Sequence, residues 1–115
     1  MEPRFFDNWT TQLRKGVLEL AVLNALAREA LYGYDLVRSL GGTKGLGIAE
    51  GTIYPLLSRL KKEGLVESYL EDSSEGPARK YYRLTRTGRR MLEVMNDHWL
   101  TVRRIVDETR KESDR

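Results

Sequence analysis

Two stretches of this chain gather residues suited to gripping a polyanion. In the first, Ile53, Leu56, Leu57 and Leu60 repeat at i, i+3, i+4 and i+7, so they form one apolar stripe of a helix. Thr52, Pro55, Arg59 and Lys62 fall on its other side, with Tyr54 and Ser58 beside them. Gly51 and Thr52 open this helix with little bulk, and a helix start offers free N–H groups and a favourable dipole to phosphate. Thr52 is placed to touch a thymine methyl or donate to a phosphate, and Tyr54 to reach a phosphate. Arg59 and Lys62 are expected to hold the backbone on either side, although the same two cations also suit an ordinary solvated face. In the second stretch, Arg79 and Lys80 follow Gly76-Pro77-Ala78, a turn that presents both cations to a minor groove or its phosphates. Glu71, Asp72 and Glu75 share that loop and would repel a phosphate backbone, so the acidic half is expected to face away and the Arg79 half inward.

Other chemistry finds little support. The only histidine, His98, has Asp97 as its neighbour on a different side of a helix, and no triad or metal cluster assembles around it. No cysteine is present, which removes disulfides, thiol catalysis and cysteine-bound zinc together. Carboxylates are scattered as solvated charge and give no pair for general acid–base work. The run Gly41-Gly42-Thr43-Lys44-Gly45-Leu46-Gly47 is glycine-rich, but its spacing fits neither phosphate-loop pattern and reads as a connector. No enzyme, metal or cofactor is expected.

The elements that must position these residues follow from periodicity. Leu13–Arg28 is apolar on most sides beyond its first turn, as a helix covered on several faces is. Leu36, Val37 and Leu40 mark a short second helix stopped by Gly41-Gly42, and Ala49–Glu63 is the third, ended by Gly64. Leu65–Leu70 and Lys80–Leu84 read as strands around a polar loop, Glu71–Ala78. Alternation puts Tyr82 and Leu84 on one face and Tyr81 and Arg83 on the other. Three helices followed by a hairpin is the order of a winged helix-turn-helix. From Thr85 onward Leu92, Met95, Trp99, Val102 and Val106 recur at spacings of 3 and 4, a heptad seam. A helix of about 25 residues reaches about 40 Å, more than so small a domain can cover, so the seam calls for another chain. The tail Glu108–Arg115 is mostly charged and expected to fray.

Composition agrees with a single folded domain: 115 residues, 40% hydrophobic and 32% charged, with 3 prolines. The expected class is mainly α with a small β-hairpin. Residues 1–84 are expected to form the winged-helix DNA-binding part and 85–115 the dimerisation helix. The N-terminal residues lack a signal-peptide core and no run suits a membrane span, so a cytoplasmic location is expected. A formal net charge of +3 permits a nucleic-acid partner without requiring one.

Three segments in order, Tyr32-Gly33-Tyr34-Asp35-Leu36, Glu50-Gly51-Thr52-Ile53-Tyr54-Pro55-Leu56-Leu57-Ser58-Arg59-Leu60 and Gly76-Pro77-Ala78-Arg79-Lys80-Tyr81-Tyr82-Arg83-Leu84-Thr85 with Gly88 following, resemble the PadR family of bacterial transcriptional regulators. The resemblance is to its short members with a single C-terminal helix and covers nearly the whole chain. It implies a homodimer that meets double-stranded DNA at a pseudo-palindromic operator through the third helix and wing. The C-terminal helix would pack with the first helix of the partner, and in many members a small molecule relieves repression. Trp99, in the pattern Trp-x-x-Val, matches the tryptophan on which multidrug-sensing members stack a flat aromatic ligand between subunits, with Met95 one turn before it. The same tryptophan serves equally as interface filling, together with Trp9, Leu92, Met95, Val102 and Val106; Phe5 and Phe6 join Trp9 as a dimer clasp. Ala49 departs from the serine that often opens the recognition helix in the family. The competing reading is a winged-helix module whose third helix or wing binds another protein; the salt dependence of DNA affinity separates the two.

Overall fold

A computed structural model describes residues 3–41 and 46–113. Four helices and a three-stranded antiparallel sheet follow in the order α1 (Pro3–Arg28), β1 (Leu31–Tyr32), α2 (Gly33–Gly41), α3 (Glu50–Lys62), β2 (Val66–Ser73), β3 (Gly76–Leu84) and α4 (Arg86–Ser113). The expected winged-helix class is the observed one. Most of the glycine connector, Gly42–Gly45, lies outside the described residues.

Helix α1 begins ten residues before the expected Leu13, at a proline, whose fixed φ and missing N–H suit the first helical position. Its core face is Leu18, Val22, Leu23 and Leu26, which join Leu36 of α2, Ile53, Leu56, Leu57 and Leu60 of α3, and Val66, Tyr82 and Leu84 of the sheet in one buried cluster. Apart from the Tyr82 hydroxyl, no polar or charged side chain among the described residues is buried.

Helix α3 ends through its own backbone. Gly64 takes φ +79°, the Gly64 N–H donates to the Lys61 carbonyl, and the Leu65 N–H donates to the Leu60 carbonyl, each at 3.0 Å. This pair of bonds around a left-handed glycine turns the chain directly into β2.

The sheet order is β1-β3-β2. Strand β1, two residues long and unanticipated, pairs Leu31 with Tyr82 and Tyr32 with Tyr81. The hairpin is longer than its sequence suggests. Glu71 pairs with Arg79 and Ser73 with Gly76, with an irregularity between Glu71 and Ser73, so Ser74 and Glu75 alone form the turn. The segment expected as a loop is therefore mostly ladder, because a two-residue turn fixes the pairing of everything beside it.

Helix α4 starts on a threonine cap: Thr85 Oγ1 accepts from the Gly88 N–H at 2.9 Å and donates to the Gly64 carbonyl at 2.6 Å. Its early turns pack on α1, where Asn24 and Asn96 exchange two amide hydrogen bonds of 3.1 and 2.9 Å. At 28 residues it spans about 42 Å, and it stays helical to Ser113 where fraying was expected. Every residue from Asp97 to Lys111 is exposed.

Candidate nucleic-acid interface

At 100° per residue, α3 divides into a core face, an opposite face and two flanks. Ile53, Leu56, Leu57 and Leu60 are buried. Gly51, Ser58 and Lys62 lie opposite them and are exposed. Ala49 caps the helix without a side-chain hydrogen bond, so the expected departure at this position has a structural counterpart. Pro55 interrupts the ladder on the exposed side, where it cannot donate to the Gly51 carbonyl.

The remaining α3 residues sit on the flanks. Tyr54 lies over the start of α2, its Cε1 only 2.7 Å from where a β-carbon on Gly33 would stand, so only glycine admits the ring there. Partial burial raises the Tyr54 hydroxyl above its ordinary pKa, and the Glu50 carboxylate raises it further, so the hydroxyl keeps its proton and can donate. On the same side Lys61 Nζ donates to Ser68 Oγ at 2.8 Å, tying α3 to β2. On the other flank Thr52 and Arg59 face α1, and the Arg59 guanidinium pairs with the Glu19 carboxylate. Arg59 was expected to be a backbone grip like Lys62. In this conformation it is an ion-pair partner of α1 instead.

The wing differs from expectation in a way that strand geometry explains. Arg79 and Lys80 are consecutive ladder residues and point to opposite faces of the hairpin, so one turn does not present both. Glu71 is not turned away from Arg79 but is its cross-strand neighbour. The Arg79 guanidinium lies over the Tyr32 ring, 5.2 Å from its centroid. Tyr32, Tyr81 and Tyr69 continue as a row across the outer face with centroids 6.0 and 5.8 Å apart. Arg83 closes the row over Tyr69 at 4.7 Å and pairs with Glu67 at 2.8 Å. Tyr32 thus fixes the wing arginine beside the start of α2, a role without a sequence signal because it depends on the β1–β3 pairing. Lys80 shares the inner face with Leu70, beyond the end of the core.

The seam leaves the core gradually. Leu92, expected to face another chain, is 5% exposed within this one, and Met95 packs partly buried against the same core. Trp99, Val102 and Val106 emerge at 38%, 37% and 59%. Phe5, Phe6, Trp9 and Leu13 are likewise exposed on the first half of α1. Among the described residues no group of three or more His, Cys, Asp or Glu side chains could hold a metal, and no helix is long and apolar enough to cross a membrane.

Known proteins share this fold. Residues 22–94 match the model of the transcriptional regulator PadR-like family. The crystal structure of a PadR-like transcriptional regulator from Bacillus cereus is 42% identical, covers 84% of this chain and 94% of its own, and superposes with a TM-score of 0.77. A PadR family transcriptional regulator from Eggerthella lenta is 36% identical over 91% of each chain, with a TM-score of 0.80. The transcriptional regulator Rv3488 of Mycobacterium tuberculosis is 32% identical over 81 residues, 70% of this chain and 74% of that protein.

Proposed function

Because the chain belongs to the PadR-like family of transcriptional regulators, we propose that it is a homodimeric repressor that reads a pseudo-palindromic operator and is released by a small aromatic effector. The observation that carries this reading is the exposed face of α3, with Gly51, Ser58 and Lys62 opposite its core stripe. Tyr54 and the Tyr32-stacked Arg79 extend the same side of the molecule toward the wing. The proposed DNA contacts are Gly51, Thr52, Tyr54, Ser58, Lys62, Arg79 and Lys80, with Arg59 joining once it parts from Glu19.

The apolar surface left uncovered on α1 and α4 supports a second copy as partner. Val94, Leu100, Ile105 and Val106 are each more than half exposed, and so are Phe5 and Trp9, which is costly in water for a chain of this size. Trp9, Trp99, Val102 and Val106 form the proposed contact, and Trp99 with Met95 the proposed effector site. Residues 1–84 then carry the DNA reader and 85–115 the dimerising helix, a functional division, since the early turns of α4 belong to the common core. Such a regulator works in the cytoplasm, where bacterial DNA is.

Selection of bound duplexes from a random pool tests the reading. Enrichment of a pseudo-palindrome with half-sites about 34 Å apart, one helical turn, is expected. Folded, dimeric protein that enriches nothing at low salt overturns it and favours a protein partner for the same surface.

A further inference from the structure

The recognition helix α3 has a second cationic wall beside it, supplied by α1. A cleft of about 660 Å³ separates the two helices, lined by Arg14, Lys15 and Glu19 from α1 and by Thr52 and Arg59 from α3. Three cations face one carboxylate there, a formal charge of +2. Arg14 reaches the connection before α3: its Nη1 lies 3.5 Å from where a β-carbon on Gly47, itself at φ +54°, would stand. Leu18 and Leu56, 7% and 8% exposed, close the floor.

A helix with its side chains is about 10–12 Å across and the major groove about 12 Å wide, so both flanks of α3 meet the groove walls, which are phosphate backbones. One flank is Tyr54 and Lys61. The other is Thr52 and Arg59, and behind it stand the α1 cations. We infer that Arg14 and Lys15 hold operator backbone phosphates on the α1 side of the groove, and that Glu19 restrains Arg59 from joining them. The inference rests on the DNA-reading proposal and extends its footprint to a helix otherwise devoted to the core and the apolar seam. Guanidinium and ammonium groups suit phosphate oxygens, and a +2 site within a Debye length of the groove keeps its attraction at physiological salt. Glu19 makes the wall adjustable: while paired it removes one cation from the sum.

The test is duplex affinity by fluorescence anisotropy across 50–200 mM salt, on the selected operator and on a scrambled duplex. Arg14→Ala and Lys15→Ala should each lower the slope of log affinity against log salt by about 0.9 per protomer bound, or about 3.5-fold in the affinity ratio between those salts. The preference for operator over scrambled duplex should not change, because phosphate contacts carry no sequence information. Arg14→Lys retains the charge and should retain the slope, which separates lost charge from lost packing on Gly47. Glu19→Gln should raise the slope by about 0.9 and tighten binding, and should do neither in an Arg59→Ala background. Lys62→Ala runs in parallel as a contact of the recognition helix itself. If it lowers the slope while Arg14→Ala and Lys15→Ala leave it unchanged, the α1 wall is refuted and the DNA reading stands. If Glu19→Gln weakens binding, the restraint is refuted. If the wild-type protein binds neither duplex, the DNA reading fails and takes the inference with it.

Discussion

Replacing Gly88 with alanine sets two effects of known sign against each other. Alanine is the better helix former by about 1 kcal/mol, so propensity alone makes the change stabilising. In the first turn of α4, however, a β-carbon would stand 2.0 Å from the Leu65 carbonyl oxygen and 2.9 Å from its carbon. Ordinary carbon–oxygen contact is about 3.3 Å, so α4 and the α3–β2 connection must part by about 1.3 Å. Both neighbours are backbone and cannot swing aside as a side chain would. Their parting strains the Thr85 N–H to Leu65 carbonyl bond of 3.1 Å and the Thr85 hydroxyl to Gly64 carbonyl bond of 2.6 Å. Overpacking costs about 1–3 kcal/mol, and two weakened hydrogen bonds about 1 kcal/mol each. Set against the propensity gain, the net loss is about 3 kcal/mol, or roughly 12 °C in Tm at about 4 °C per kcal/mol. Gly16→Ala is the matched control: Gly16 is also helical, but nothing stands within 4 Å of its added β-carbon, so the same substitution should stabilise by up to about 1 kcal/mol. Thermal melts followed at the helical circular-dichroism band, at one fixed protomer concentration, give both values. A Gly88→Ala protein as stable as the wild type would refute the close approach of α4 to Leu65.

Three further outcomes are expected. Burial raises the Tyr82 hydroxyl above its ordinary pKa of 10.0, so stability is fully present below pH 10 and is lost as pH climbs through the raised folded value. Tyr82→Phe should therefore flatten the alkaline limb of a stability–pH curve, and an unchanged limb would count against Tyr82 as its source. Asn96→Ala strands the half-buried amide of Asn24 and should cost about 1–2 kcal/mol in urea unfolding. Asn24→Ala with Asn96→Ala should cost no more than either alone, and strictly additive losses would mean the pair does not act as a unit. Val106→Glu places a charge on the exposed stretch of the seam, so in sedimentation velocity it should dissociate the proposed dimer; a dimer that survives the change would move the contact elsewhere.

Legibility in the sequence follows how local each determinant is. The α3 stripe of Ile53, Leu56, Leu57 and Leu60 is a periodic signal, and all four residues are buried where that period puts them. Gly64 is equally local, because a left-handed residue and two backbone bonds end the helix within one turn. The hairpin shows where such reading stops. Its composition between Glu71 and Ala78 is that of a loop, yet a turn at Ser74 and Glu75 extends the ladder through most of it and makes Glu71 and Arg79 neighbours. Tyr32 stands 47 residues before Arg79 and meets it only because the two-residue β1 adds to the β3 edge.

The heptad spacing marks one face of α4, but period alone cannot say which chain covers it. Leu92 and Met95 pass over α1 of the same protomer, and the seam becomes available to a partner only beyond Asn96, where α4 outruns the domain. The cations of α1 escaped for the converse reason. Arg14 and Lys15 precede an apolar run and read as the polar first turn of a core helix, but α1 begins at Pro3, which puts them mid-helix. Only the crossing of α1 over α3 brings them to one cleft with Arg59. The candidate residues that periodicity could find lie on α3 itself, whereas those that complete its flanks come from elements joined to it by packing and strand pairing.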